Sequence, residues 1–87
     1  MIRLMEQLLF KNFDSRLANF LLEQETIDGS DTLMITQEEI AKHLGSAREV
    51  VSRMLKYFQS EQIVSLFRGG VKIEDNNKLR ELVEGRQ

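Results

Sequence analysis

Residues 36–60 read TQEEIAKHLGSAREVVSRMLKYFQS, and this stretch contains two short helical patterns separated by one glycine. Thr36 and Glu39 have the spacing of a capping box, in which each side chain satisfies a backbone N–H of the other at the start of a helix. Gly45 stands where a helix-ending turn favours a residue that tolerates positive φ. Two short capped helices joined in this way are typical of a helix-turn-helix unit.

The second helix, predicted from about residue 47 to about residue 60, has two chemically different faces. A second capping box, Ser46 with Glu49, is expected to open it. One face carries apolar side chains that should enter the core: Val50, Val51, Met54, Leu55 and Phe58. The other face carries Arg48, Glu49, Ser52, Arg53 and Lys56. The charge pattern alone does not decide between two interpretations of this face, a solvated surface and a binding surface.

The sequence after Gln62 changes to the pattern of a β-hairpin. Residues 63–68 and 71–73 read as two strands, and Gly69-Gly70 is expected to be the turn dipeptide of this wing. Asp75-Asn76-Asn77 should cap a last helix, whose apolar face holds Leu79, Leu82 and Val83. The expected fold is therefore mainly α with a small β-hairpin wing, a winged helix-turn-helix with a three-helix core.

The N-terminal part is predicted to be helical over residues 2–24, with an interruption at residues 10–13. Asn12 could N-cap a second helix that runs to about Glu25. The polar residues 26–32 are expected to form a loop. Residues 33–35 are expected to form a short strand.

The composition excludes several classes of function. The 87 residues suffice for one small domain, and the absence of cysteine rules out disulfides and thiolate sites. The one histidine, His43, has no ligand-like cluster beside it in the sequence. We therefore expect no enzyme activity, no catalytic residue, no metal and no cofactor in this chain. With no signal-peptide pattern and no apolar run long enough to span a membrane, a cytoplasmic location is expected and no membrane partner.

The charge is distributed unevenly along the chain. The net charge is −2, yet residues 36–72 contain six basic and four acidic side chains and are the only positive part. Such a chain could meet DNA with one face and would have weak non-specific affinity, because few phosphates can be neutralised.

The polar face of the second helix has residue types suited to reading bases. The N-terminal part of such a helix is the part that enters the major groove. Arginine can donate two hydrogen bonds to guanine, and glutamate can accept one from cytosine. Glu49 would repel phosphates, which leaves three roles open: a base reader, a side chain that orients a neighbouring arginine, or only the partner of Ser46 in the capping box.

Residues 35–41, ITQEEIA, and residues 44–56, LGSAREVVSRMLK, closely resemble the C-terminal domain of the Crp/Fnr family, the cyclic-AMP receptor and fumarate-nitrate regulator type of bacterial transcription factors. The resemblance covers roughly residues 10–75. It implies sequence-specific binding of double-stranded DNA, transcription regulation and a homodimer on a two-fold symmetric operator, with contact to RNA polymerase as a further expected partner.

The resemblance also implies roles for single residues. Arg48, Glu49 and Arg53 match base-contacting positions, and Ser52 matches a position that helps to choose between half-sites. Arg48 looks like the cyclic-AMP receptor branch, whereas Ser52 looks like the fumarate-nitrate branch, so the operator sequence is left open. The expected phosphate contacts are Thr36, Ser46, Lys56, Arg68 and Lys72. Ala47 and Val50 depart from the hydroxyl residues frequent at their positions.

The start of the chain resembles the hinge that follows the dimerisation helix in this family. The matching residues are Phe10-Lys11-Asn12 and Arg16-Leu17-Ala18. Residues 1–10 would then be the remnant of the dimerisation helix and residues 11–87 the DNA-binding domain. Since no effector-sensing barrel precedes them, the chain is expected to be part of a longer protein rather than a natural stand-alone domain.

A winged helix that binds a protein instead of DNA is the alternative function. That architecture also serves in complexes that never touch bases. A protein-binding face should expose apolar anchors, whereas the face expected here carries Arg48, Glu49, Ser52, Arg53 and Lys56. The exposed residues of this helix therefore discriminate between the two functions.

Overall fold

The structure, a computed structural model, describes the backbone of residues 2–84 and the side chains of residues 13–84. The elements follow in the order α1 (Ile2–Asp28), β1 (Thr32–Leu33), α2 (Gln37–Leu44), α3 (Arg48–Ser60), β2 (Val64–Phe67), β3 (Gly70–Ile73) and α4 (Asn76–Glu84). This order of helices and hairpin confirms the predicted winged helix-turn-helix. Within the described chain it contains four helices and a three-stranded sheet.

Helix α1 is continuous from Ile2 to Asp28, so the predicted interruption at residues 10–13 is wrong. Asn12 lies inside the helix and does not begin a second one. The physical reason is that no glycine or proline occurs before Gly29, so nothing in the backbone forces a break. The helix also extends past Glu25 to Asp28, so the first three residues of the predicted loop over residues 26–32 are helical, and Gly29 follows with φ 67°. The division of the chain near residue 10 stays a prediction, because the side chains before Phe13 lie outside the described residues.

The two helices of the helix-turn-helix begin differently, although the sequence predicted the same cap for both. At α2 the capping box is confirmed, since the Thr36 hydroxyl accepts from Glu39 N at 3.1 Å and Thr36 N donates to Glu39 Oε1 at 2.9 Å. At α3 the predicted box is wrong. Ala47 is the N-cap there, and no side chain caps the helix. The reason lies in the turn: Gly45 has φ 64°, and Ser46 N donates back to Ala41 O, so Ser46 belongs to the end of α2.

The wing hairpin, β2 and β3, is part of an antiparallel sheet with strand order β1-β3-β2. The predicted short strand after the loop is confirmed in part, as Thr32–Leu33, and it pairs with β3. The predicted position of the hairpin turn, Gly69-Gly70, is wrong by one residue. Phe67 pairs with Gly70, which leaves Arg68 and Gly69 as the two turn residues, and only Gly69 needs positive φ, at 85°.

The core lies between α1, α2, α3, the inner face of the sheet and α4. It includes Leu17, Leu21, Leu33, Ile40, Val51, Met54, Leu55, Phe58, Val64, Val71 and Leu79. Of the five apolar residues predicted for the inner face of α3, Val50 does not join the core and is 42% exposed. Val50 lies about 100° around the helix from Val51, which places it on the flank.

In α4, Asp75 caps the helix by accepting from Lys78 N at 3.2 Å, as predicted, but Val83 is exposed.

Candidate nucleic-acid interface

The outward face of α3 presents the charged side chains that the sequence predicted. Glu49, Arg53 and Lys56 are exposed on successive turns, and Ser52 is half-buried beside them. Their spacing follows from the helix, because residues three and four apart lie on one face. The same periodicity turns Val51, Leu55 and Phe58 into the core. The buried face therefore fixes which side chains α3 can offer to a partner.

Glu49 and Arg53 are paired on this face. Arg53 Nη2 lies 3.6 Å from Glu49 Oε2, and both side chains are about four-fifths exposed, 81% and 79%. A pair this exposed adds little to folding stability. Because Glu49 is not part of a capping box at α3, that interpretation of Glu49 is wrong. The contact is the one expected of a side chain that orients a neighbouring arginine.

A groove separates the start of α2 from the wing and ends at the start of α3. Its wall on the α2 side consists of residues 35–38, its wing side of Phe67, Gly69 and Gly70, and Arg48 borders it from α3. Thr36, Arg48 and the turn of the wing thus lie around one depression although up to 34 residues separate them in the chain. Tertiary packing brings together candidate contacts from three elements.

Thr36 is already engaged within α2. Its hydroxyl accepts from Glu39 N, lies 3.3 Å from Glu39 Oε1, and its backbone N–H is also bonded to that carboxylate. The N–H groups of Gln37 and Glu38 belong to the first turn of the helix, where no carbonyl within the helix can accept them. They carry the positive end of the helix dipole, and both residues line the groove. The Glu38 carboxylate in the same groove opposes an anion there.

The wing makes two contacts that the sequence pattern did not reveal. Gln59 Oε1 accepts a hydrogen bond from Leu66 N at 2.8 Å, which ties the end of α3 to β2. The ring of Phe67 covers Gly70, since a Cβ on Gly70 would lie 2.5 Å from Phe67 Cζ and 2.5 Å from Leu33 O. Gln59 and Leu66 belong to different elements, and Leu33 lies 37 residues before Gly70, so the periodicity of a single helix or strand does not predict these contacts.

The remaining predicted phosphate contacts are exposed to different degrees. Arg68 is exposed at the turn beside Gly69, and Lys56 is exposed on α3. Ser46 is half-buried in the turn between α2 and α3. Lys72 is exposed on the outer face of the sheet, opposite Thr32 and Ser65 in register. None of these four residues lines the groove.

The structure also shows two side-chain contacts between α1 and α2. The guanidinium of Arg16 donates to the carbonyl oxygen of Leu44, and the ring of His43 lies over Phe20 with centroids 5.0 Å apart. Within the residues that the structure describes, no group of three or more His, Cys, Asp or Glu side chains could hold a metal ion. Among the same residues no helix could cross a membrane.

Two half-exposed apolar side chains flank the charged face of α3. Val50 is 42% exposed in the first turn and Tyr57 is 47% exposed two turns later. Both lie on the flank that points away from Gln59 and the wing, as the helical repeat requires. The centre of the exposed face stays charged, so these two side chains do not form an apolar patch of the kind that protein-binding faces present.

The comparisons with known proteins agree with this geometry. The model of the Crp-like helix-turn-helix domain family matches residues 15–82. A transcriptional regulator of the Crp/Fnr family from Eubacterium rectale is 49% identical with a TM-score of 0.83, and the match covers 95% of this chain and 38% of that chain. The catabolite activator protein of Thermus thermophilus is 29% identical with a TM-score of 0.86, covering 95% and 39%.

A CO-sensing protein from R. rubrum is 29% identical with a TM-score of 0.79, and that match covers 93% of this chain and 40% of that chain. The chain therefore spans about two fifths of the length of these solved structures. The comparison with curated proteins found no match. The family match supports DNA binding and transcription regulation as the function of the domain. On its motif, its fold and a match over residues 15–82, the chain belongs to the Crp-like helix-turn-helix domain family.

Proposed function

We propose that this domain binds double-stranded DNA sequence-specifically by placing α3 in the major groove of one half of a two-fold symmetric operator. The observation that carries the proposal is the common surface formed by the outward face of α3, the start of α2 and the turn of the wing. An α-helix fits the major groove, and flanking elements of a helix-turn-helix meet the phosphates on either side. The proposed base contacts are Arg48, Glu49, Ser52 and Arg53.

The phosphate contacts in this proposal are Thr36, Ser46, Lys56, Arg68 and Lys72. Arg68 is exposed at the turn of the wing, next to Gly69 in the groove lining, and the first-turn N–H groups of α2 on the opposite wall favour an anion. Lys72 does not line the groove and would need a phosphate on the outer face of the sheet. Few cations are available, so we expect a shallow dependence of affinity on salt concentration compared with strongly basic DNA-binding proteins.

The proposed homodimer would place two copies of α3 on the two half-sites. One domain alone loses the gain that linked binding gives, so its affinity for a single half-site should be low. Residues 1–10 are proposed to belong to the dimerisation helix. Contact with RNA polymerase stays a prediction, since no described residue is assigned to it. A bacterial regulator works where the chromosome lies, so we propose a cytoplasmic location. Because the proposed function is binding, we assign the chain no catalytic residue.

A selection of preferred duplexes followed by fluorescence anisotropy at low salt tests the proposal. The domain is used to enrich sites from a random duplex pool, and the enriched duplex is compared with a shuffled one. We expect a preference for the enriched duplex, and we expect Arg48→Ala and Arg53→Ala each to lose about 1–3 kcal/mol of that preference.

Arg80→Ala is the matched control, because Arg80 is exposed on α4 outside the proposed surface. It should keep the preference of the parent. If the parent enriches no sequence, or if the two α3 variants discriminate as well as the parent does, base reading by α3 is wrong. The charged face of α3 would then have to serve a protein partner.

A further inference from the structure

The first turn of α3 exposes methyl groups beside its charged side chains. Val50 is 42% exposed, although the apolar pattern of the helix predicted it for the core. Ala47, the N-cap residue, is also exposed and makes no side-chain cap. In the sequence both flank Arg48 and Glu49, which lie at the N-terminal end of α3. This is the end proposed to enter the major groove of DNA. The side chains of Ala47 and Val50 therefore offer a partner only apolar contact.

The exposure of Val50 follows from the fixed orientation of α3. Val51, Met54, Leu55 and Phe58 fill the core, and each of them is at most 2% exposed. Turning the helix to bury Val50 would expose part of this set, whose burial contributes far more. Val50 is thus held at the surface, and its solvent-facing methyl area is available to a partner.

The major groove presents one apolar group to such a side chain. Adenine, guanine and cytosine offer only hydrogen-bond donors and acceptors along their groove edges, whereas thymine adds its C5 methyl group. A valine cannot donate to a phosphate or to a base edge. Its favourable contact in the groove is with that methyl group, and the same contact is denied to a base that lacks it.

We propose that Val50 is a specificity-determining residue that contacts a thymine methyl group within each half-site. The proposal rests on the proposed entry of α3 into the major groove. It adds an apolar base contact to the hydrogen-bonding ones assigned to Arg48, Glu49 and Arg53. The half-site that this domain prefers therefore contains a thymine next to the bases read by the first turn of α3.

Replacement of thymine by uracil in the enriched duplex tests the proposal, because it removes the methyl group and leaves every hydrogen bond unchanged. Each thymine is replaced in turn, and the affinity of the parent domain is measured by anisotropy. At one thymine per half-site we expect the affinity to fall about fourfold, the equivalent of one buried methyl-sized group. At that position, Val50→Ala should bind the thymine and uracil duplexes about equally.

Val50→Thr provides a second variant of nearly the same shape, in which a hydroxyl replaces one methyl group, and it should also reduce the thymine preference. Val83→Ala is the matched control: a valine on α4, 37% exposed, whose loss should leave the fourfold ratio intact. Insensitivity to uracil at every position overturns the proposal, as does an unchanged ratio in both Val50 variants or an enriched site without thymine.

The two proposals fail in distinguishable ways. Loss of preference in Arg48→Ala and Arg53→Ala together with insensitivity to uracil leaves α3 as the reading helix and removes only Val50 from the base contacts. A domain that enriches no sequence overturns both proposals. Circular dichroism of the Val50 variants confirms that the helices are retained, which we expect because alanine favours the helix more than valine does.

Discussion

The guanidinium of Arg16 in α1 donates a hydrogen bond to the carbonyl oxygen of Leu44, the last residue of α2. The last carbonyls of a helix have no partner within it and carry the negative end of the helix dipole. A cation at this point both satisfies an acceptor and offsets the dipole. Since His43 also lies over Phe20, two side-chain contacts fasten the C-terminal end of α2 to α1.

Replacement of Arg16 should loosen this attachment. We expect Arg16→Gln to lower the free energy of unfolding by about 1–2 kcal/mol, because a partly buried charge-assisted hydrogen bond is lost. Arg16→Lys should recover part of the loss through its charge. Urea unfolding measures the change, with Arg80→Gln on the exposed side of α4 as control, expected within about 0.5 kcal/mol of the parent. Equal stability of the Arg16→Gln and Arg80→Gln variants would contradict the proposed attachment.

The two helix starts of the helix-turn-helix should respond differently to the loss of a hydroxyl. Thr36→Ala removes the side-chain acceptor of Glu39 N and should cost about 1 kcal/mol of unfolding free energy. Ser46→Ala should cost much less, because Ser46 does not cap α3. Thermal or urea unfolding of both variants distinguishes these outcomes. A similar cost in both would mean that Ser46 caps α3 in solution.

Two adjacent glycines of the wing should differ in their tolerance of alanine. Gly69→Ala meets no atom within 4 Å and suffers only the strain of φ 85°, about 1 kcal/mol. Gly70→Ala places a Cβ 2.5 Å from the backbone oxygen of Leu33 and 2.5 Å from the Phe67 ring. Because a backbone atom cannot move aside cheaply, we expect the larger loss, about 1–3 kcal/mol, at Gly70.

Unfolding by urea also tests this order of stability, and amide exchange in β2 and β3 locates the change. Gly70→Ala should increase exchange in the wing more than in α3. The reverse order of stability, with Gly69→Ala as the weaker variant, would contradict the close approach of Leu33 and Phe67 to Gly70.

Asp14 should make the protein less stable as its carboxyl group ionises. Burial raises the pKa of Asp14 above its ordinary value of 3.8, and its Oδ1 has no hydrogen-bond partner among the described residues. The folded state therefore binds the proton more tightly than the unfolded state does. The contribution of this group to unfolding free energy consequently falls as the pH rises from about 3.8 through the raised pKa of the folded state.

Asp14→Asn removes this ionisation and should stabilise the protein at neutral pH. Urea unfolding of parent and variant from about pH 7 to about pH 3 measures the difference, which should vanish below the ordinary pKa of an aspartate. Glu81→Gln, an exposed carboxylate on α4, is the control and should show a smaller change at neutral pH. A difference between Asp14→Asn and the parent that persists unchanged at about pH 3 would show a cause other than ionisation.

The sequence by itself determined the local features of the helix-turn-helix. The capping box at Thr36, the glycine that ends α2 and the apolar spacing of Val51, Met54, Leu55 and Phe58 are all confirmed. They could be predicted because each depends on residues within one or two turns of each other. The family and the outward charged residues of α3 followed from the same stretch, for the same reason.

Only the tertiary structure decided how these elements meet. The backbone N–H of Ser46 bonds to Ala41 at the end of α2, so Ser46 does not cap α3. Packing of the core leaves Val50 at the surface, and Phe67 and Leu33 lie against Gly70. Each of these outcomes depends on a turn or on packing between elements, and a repeat of 3.6 or 2 residues contains no information about them. The groove that unites Thr36, Arg48 and the wing exists because packing fixes three elements at once, whereas the sequence supplied only the side chains that line it.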